Sequence, residues 1–112
     1  MTTFLPLDEN SNPVPALRLA PGGAHSIAAT SGGSARNSSA FGSGTKIVSL
    51  YATGPVYVRF GDGTVTAATT DHYYPSGIYY DFATGGGRAA QYGYVAVRAV
   101  QSDCTVYVSE KE

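Results

Sequence analysis

Charge, cysteine and long apolar runs are all scarce in this sequence. Charged residues make up 13% of the 112 residues, about half the usual share in a soluble protein, and the net charge is −1. The seven basic residues are scattered, so the chain has no basic stripe of the kind that binds nucleic acid. No apolar run approaches the roughly 18 residues that a membrane-spanning helix needs. We therefore expect neither a nucleic-acid nor a membrane partner.

Residues that carry chemistry are equally sparse. The single cysteine, Cys104, excludes an internal disulfide and a cysteine-cluster zinc site, and its neighbour Asp103 disfavours a reactive thiolate. His25 and His72 show no metal-ligand spacing, and no serine lies in a Gly-x-Ser-x-Gly motif. We expect no catalytic residue, no cofactor and no metal. The N-terminus lacks the features of a secretory signal, so we expect folding in a cytoplasm.

The chain is rich in glycine, small polar residues and tyrosine, with nine tyrosines and no tryptophan. Tyrosine favours strands, and turn residues recur about every 8–12 positions without helix-spaced apolar residues. These features predict an all-β domain over 16–112, a single antiparallel β-sandwich or small barrel of seven to nine short strands. Residues 1–15 contain three prolines and predict an extended N-terminal arm. The arm is either a frayed terminus or an anchor on a neighbouring subunit through Phe4, Leu5 and Leu7.

Turn residues divide the predicted domain into strands. A Pro-Gly-Gly turn follows the first strand, and the dipeptide Thr53-Gly54 predicts a hairpin. The segment 31–44 is either a flexible loop or a weak edge strand. A further strand begins at 64–70, and 71–90 is a long aromatic-rich connection. The remaining strands are predicted near 16–20, 25–30, 46–52, 55–60, 92–100 and 105–109, with the last two forming a second hairpin.

The two predicted hairpins have similar sequences, since "GPVYVRF" returns later in the chain as "CTVYVSE". An alignment without gaps lays 47–58 over 97–108 and pairs Leu50 with Val100. Each hairpin has one apolar face that must be buried. Two equivalent hairpins facing each other would bury both faces and form a two-sheet core.

The segment 72–82 is the one part of the sequence whose side chains suggest a specific role, because it concentrates aromatic residues. Three interpretations are open: a cap on one end of the core, a protein interface, and a platform for carbohydrate. The core cap would consist of Tyr74, Ile78, Tyr80 and Phe82. The candidate contact residues for a protein or glycan are Tyr73, Tyr74 and Tyr79.

The order of motifs resembles a known group of proteins. The run "VYVRFGDGTVTAATTDHYYPSG" and the closing "VYVSE" are similar to small virion structural proteins of tailed bacteriophages and gene transfer agents. In that group a strand leads into "VYVRFG", then a Thr/Ala stretch, then an Asp-aromatic-Pro-x-Gly turn. The resemblance covers about residues 16–112. It implies a β-sandwich or barrel domain on the particle surface, as a head decoration, head-spike or fibre-base subunit.

The resemblance predicts a structural, non-enzymatic component of a tailed-phage-like particle, made in the host bacterial cytoplasm and located on the virion. The expected partners are the major capsid protein or other virion proteins, together with copies of the chain itself in a trimer or pentamer. One alternative is a carbohydrate-binding module that adsorbs to a host-surface glycan. Another is a head-completion or tail structural protein.

Overall fold

A computed structural model describes residues 17–85 and 90–111, which form eight β-strands and no helix. Two four-stranded antiparallel sheets pack together, so the predicted all-β sandwich is confirmed. The predicted arm at 1–15, with Phe4, Leu5 and Leu7, lies outside the described residues. The strands are β1 (Leu19–Ala29), β2 (Ala35–Arg36), β3 (Ile47–Ala52), β4 (Val56–Gly61), β5 (His72–Tyr74), β6 (Tyr79–Ala83), β7 (Tyr94–Ala99) and β8 (Cys104–Lys111).

Sheet 1 has the strand order β1-β8-β3-β6, and sheet 2 has the order β2-β7-β4-β5. Alternate side chains of the four central strands point between the sheets and form most of the core. Most of them are valine, whose branched side chain packs well on a pleated surface, and each fully buried valine contributes about 1.5–3 kcal/mol. The core residues are Ile27, Ala29, Phe41, Val48, Leu50, Ala52, Val56, Val58, Val95, Val97, Ala99, Val106 and Val108.

The two predicted hairpins are wrong. β3 lies in sheet 1 and β4 in sheet 2, so the Thr53-Gly54 turn carries the chain across the sandwich. β7 and β8 are divided between the sheets in the same way. Each pair is therefore a β-arch, and the strands pair between arches, β3 with β8 and β4 with β7. A Thr-Gly turn reverses the chain in a hairpin and in an arch, so the local sequence does not distinguish them.

The sequence repeat is a structural repeat of these two arches. The "VYV" of β4 is equivalent to that of β8, as the alignment predicts. The first strands of the two arches, β3 and β7, align differently. Leu50 pairs with Val108, and Val97 pairs with Val58, so Leu50 is equivalent to Val97. The predicted match of Leu50 with Val100 is wrong by three residues, because the second connection is three residues longer between equivalent positions.

Two segments before β3 differ from the prediction. The Pro-Gly-Gly sequence does not reverse the chain but forms an irregularity inside β1, between Leu19 and Ala24. Gly22 has φ +74°, which glycine adopts without strain. Within 31–44 only the two residues of β2 form an edge strand, and the loop that follows buries Asn37 and Phe41.

Two segments after β4 also differ. The predicted strand at 64–70 has no strand pairing and instead packs Val65 and Ala67 against the outer side of sheet 2. The predicted connection at 71–90 contains the edge strands β5 and β6. Both strands are short, with three and five residues. They pair with different sheets, so the Pro-Ser-Gly segment between them gives no local indication of their partners.

Candidate functional site

A row of three tyrosines crosses the outer face of sheet 1. Tyr107 of β8 and Tyr79 of β6 each lie directly opposite Tyr51 of β3. The ring centroids of Tyr51 and Tyr79 are 4.8 Å apart, and Tyr107 and Tyr79 are 49% and 70% exposed. We name Tyr107, Tyr51 and Tyr79 the tyrosine row. It offers apolar rings together with hydroxyl groups, which is the composition of many protein contact surfaces.

Polar side chains flank the tyrosine row on the same face. Ser49 lies between Ser109 and Asp81 in the sheet, and its hydroxyl donates to Asp81 Oδ1 at 2.5 Å. Lys111 Nζ donates to the same oxygen at 3.0 Å. The Ser49 hydrogen bond, followed by Lys111, lowers the pKa of Asp81. Because Lys111 and Asp81 balance each other, the surroundings of the tyrosine row carry little net charge.

The outer face of sheet 2 has a different composition. Tyr57 of β4 lies opposite Tyr73 of β5 on one side and Arg98 of β7 on the other. The Tyr57 and Tyr73 rings meet edge to face at 6.2 Å. Val65 packs on Ala96 and helps to bury it completely. The chain itself therefore covers part of this face.

The flank of the sandwich between β5 and β6 is closed by aromatic rings, here named the aromatic flank (Phe60, Tyr74, Tyr80 and Phe82). The ring centroid of Phe82 lies 5.3 Å from that of Phe60 and 5.1 Å from that of Tyr74. The ring centroids of Tyr74 and Tyr80 are 4.9 Å apart. Phe60, Tyr74 and Phe82 pack against the core. The predicted core cap is therefore confirmed for Tyr74 and Phe82, whereas Tyr80 contacts the ring of Tyr74. It is wrong for Ile78, which is 51% exposed.

An open groove of about 590 Å³ runs along the aromatic flank. Phe60, Tyr74, Phe82 and Tyr92 supply aromatic walls, and Arg59 and His72 stand at the rim. An adjoining depression of about 570 Å³ shares Arg59, Phe60 and Tyr92, and adds Thr64 and Gln91. Aromatic walls with a few polar groups are typical of small-ligand sites.

The opposite flank, between β1 and β2, is closed by a buried carboxylate. Glu110 Oε2 lies 2.8 Å from His25 Nε2, and Glu110 Oε1 accepts hydrogen bonds from the Gly42 amide at 2.7 Å and the Thr45 hydroxyl at 2.6 Å. Burial raises the pKa of Glu110, but the hydrogen bonds from Thr45, His25 and Gly42 outweigh burial and leave its pKa lowered. The carboxylate ties the loop at 42–45 to both β1 and β8.

The remaining candidates for chemistry do not form a reactive centre in the part of the chain that the structure describes. Burial, with a smaller effect of Asp103, raises the pKa of the Cys104 thiol, and Sγ lies 3.7 Å from the Gly54 carbonyl oxygen. Among residues 17–85 and 90–111, no three of the histidine, cysteine, aspartate and glutamate side chains lie close enough to hold a metal ion.

The structure places the three predicted contact tyrosines on three different surfaces. Tyr79 belongs to the tyrosine row on sheet 1, Tyr73 lies on the outer face of sheet 2, and Tyr74 lines the groove between the sheets. Tyr51 and Tyr107 were not among the predicted surface residues, although both strands show alternation with apolar neighbours. The pairing of His25 with Glu110 was not predicted either, since no local signal joins residues 85 positions apart.

No protein-family model matches this chain, and no curated protein or solved structure is significantly similar to it. None of the described residues forms a helix long and apolar enough to cross a membrane.

Proposed function

We propose that this protein is a structural subunit of a tailed-phage-like particle, a capsid decoration or a head-spike or fibre-base subunit that docks on the major capsid protein. The observation that carries the proposal is the tyrosine row. Its three residues lie opposite one another on adjacent strands of a packed sandwich, and the Tyr51 and Tyr79 rings are in contact, so little conformational entropy is lost when a partner covers them. The sequence resemblance to virion proteins supplies the identity of the partner.

The docking mode follows from the composition of the two outer faces. The face of sheet 1 combines exposed rings with serine hydroxyls and a self-balanced ion pair, so covering it desolvates few unpaired charges. The face of sheet 2 is partly covered by Val65 and Ala67 and carries Arg98. We therefore assign the capsid-facing side to sheet 1. Copies around a capsid symmetry axis, in a trimer or pentamer, would present the same face to equivalent sites.

The test begins with particles purified from the source of this sequence. Mass spectrometry of the particles detects the chain if it is a virion component, and electron microscopy then separates a capsid decoration or spike from a head-completion or tail position. Particles without the chain would contradict the proposal, whatever the protein binds in isolation.

A binding assay with particles that lack the chain tests the docking face. Tyr107→Ser and Tyr79→Ser should each weaken binding by about 30-fold, because a central interface tyrosine contributes about 2 kcal/mol or more. Tyr73→Ser is the matched control, since Tyr73 is similarly exposed, at 54%, on the opposite face. Equal losses for Tyr73→Ser and Tyr107→Ser would remove the assignment of sheet 1.

A further inference from the structure

The groove lies where β4 extends beyond its neighbour. β5 pairs with β4 only from Val56 to Val58, whereas β7 pairs with β4 as far as Gly61. Strand β4 therefore has no partner on its β5 side from Arg59 onward, within the described pairings. The step opens the side of the sandwich and leaves Arg59 and Phe60 at the same groove. A ligand there meets the sheet edge and an aromatic wall, with Arg59 among the lining residues.

The groove lining carries charges of both signs, Arg59 and Asp71, and the adjoining depression adds Asp62. The side chain of Arg59 makes no hydrogen bond or ion pair with any of the described residues. The nearby carboxylates are already engaged with the backbone: Asp62 accepts from the Thr64 amide at 2.9 Å, and Asp71 from the Ala68 amide at 2.7 Å. His72 adds a second nitrogen group at the rim. Because both carboxylates already accept backbone hydrogen bonds, Arg59 is the charged side chain at this rim that remains available to a ligand, and a carboxylate is its complement.

The internal repeat places a histidine equivalent to His72 on the opposite flank of the sandwich. His25 and His72 are equivalent, because each lies opposite the last valine of a repeated Val-Tyr-Val. His25 meets the carboxylate of Glu110 at 2.8 Å, whereas the residue equivalent to Glu110 beside His72 is Phe60. The chain therefore supplies a carboxylate to one histidine and an open aromatic groove to the other.

We propose that the groove binds an acidic saccharide, with the sugar carboxylate on Arg59 and the rim histidine, and the apolar face of the sugar ring against Tyr92 and Phe60. The hydroxyl and amide groups of Thr64 and Gln91, in the adjoining depression, match sugar hydroxyls. The groove volume of about 590 Å³ falls within the range of about 300–1,000 Å³ for small-ligand sites. This ligand site is independent of docking through the tyrosine row.

The test is a titration of the isotope-labelled protein, followed by nuclear magnetic resonance, with short oligosaccharides of galacturonate, glucuronate or sialic acid. The matched probes are the methyl esters of the same sugars, which keep the ring and remove the charge. At least one acidic probe should shift the amide signals around Arg59, Phe60 and Tyr92. Its affinity should fall about tenfold on esterification, because a charge-assisted hydrogen bond is lost.

Variants separate the groove from the rest of the surface. Arg59→Gln should reproduce the loss caused by esterification, and Tyr92→Ala should weaken the acidic and ester probes alike. Arg98→Gln, on the outer face of sheet 2, is the control and should leave binding unchanged. The proposal is overturned if none of the three acidic probes binds at millimolar concentration, if the esters bind equally well, or if the shifted signals map to the tyrosine row. None of these outcomes bears on whether the chain is present in particles.

Discussion

The two flanks of the sandwich hold equivalent positions in the internal repeat, yet opposite kinds of side chain close them. His25 and His72 occupy the same place, each opposite the valine that ends a repeated Val-Tyr-Val. Beside His25 the repeat places Glu110, which is buried and accepts three hydrogen bonds. Beside His72 it places Phe60, which stacks with Phe82 and leaves the groove open.

This difference shows which parts of the repeat are constrained by packing. Inward positions of both arches need apolar volume between two sheets, and both arches supply it with valine, alanine and leucine. Flank positions need only a closed contact at the side of the core. A hydrogen-bonded carboxylate and a ring stack both satisfy that need, so these positions are where the two halves of the chain acquired different chemistry.

The flank between β1 and β2, here named the polar flank, is closed by Glu110, and removing this carboxylate should have the largest effect on stability. Glu110→Ala leaves the Gly42 amide, the Thr45 hydroxyl and His25 without their shared acceptor in a buried site. Breaking a buried pair in this way costs about 3–5 kcal/mol of the free energy of unfolding. Urea denaturation measures the loss. Phe60→Ala, at the equivalent position of the half-buried aromatic flank, should cost about 2 kcal/mol. A larger loss for Phe60→Ala than for Glu110→Ala would contradict the comparison.

The sequence predicts the strands of this fold better than it predicts their partners. The alternation in "IVSLYA" and "VYVRF" is a local property, and it correctly indicates strands with one buried side. Whether the next strand joins the same sheet depends on which other strands compete for its edge. Both arches exchange partners with each other, so neither could be recognised from its own turn.

The candidate sites were predictable to different degrees for the same reason. The aromatic flank could be inferred in part, because Tyr74, Tyr80 and Phe82 are close in sequence and alternate toward one side. The tyrosine row brings together three strands that are distant in the chain, and the Glu110 site joins residues at opposite ends of the domain. Such sites exist only once the sheet register is known.

Matched truncations in the core should have the same effect in both arches. Val58 and Val108 are equivalent, and they are 2% and 1% exposed. Val58→Ala and Val108→Ala should each lower the free energy of unfolding by about 2 kcal/mol, within about 0.5 kcal/mol of each other. Urea denaturation of both variants provides the measurement. Unequal losses would mean that the repeat is a repeat of sequence only, with different packing in its two halves.

Acid should weaken the polar flank by a smaller amount than removal of the carboxylate does. The pKa of Glu110 in the folded protein lies below the ordinary value of 4.5, so the unfolded chain takes up its proton first as the pH falls. The stabilisation by ionised Glu110 is complete above that ordinary value and is lost as the pH falls through the folded-state pKa.

Glu110→Gln should flatten the acid side of a profile of unfolding free energy against pH. Asp62 and Asp81, whose pKa values are also lowered, keep their contribution in both proteins, so the difference between the two profiles isolates Glu110. Parallel profiles for the wild-type protein and the variant would show that the hydrogen bonds to Glu110 do not favour its ionised form.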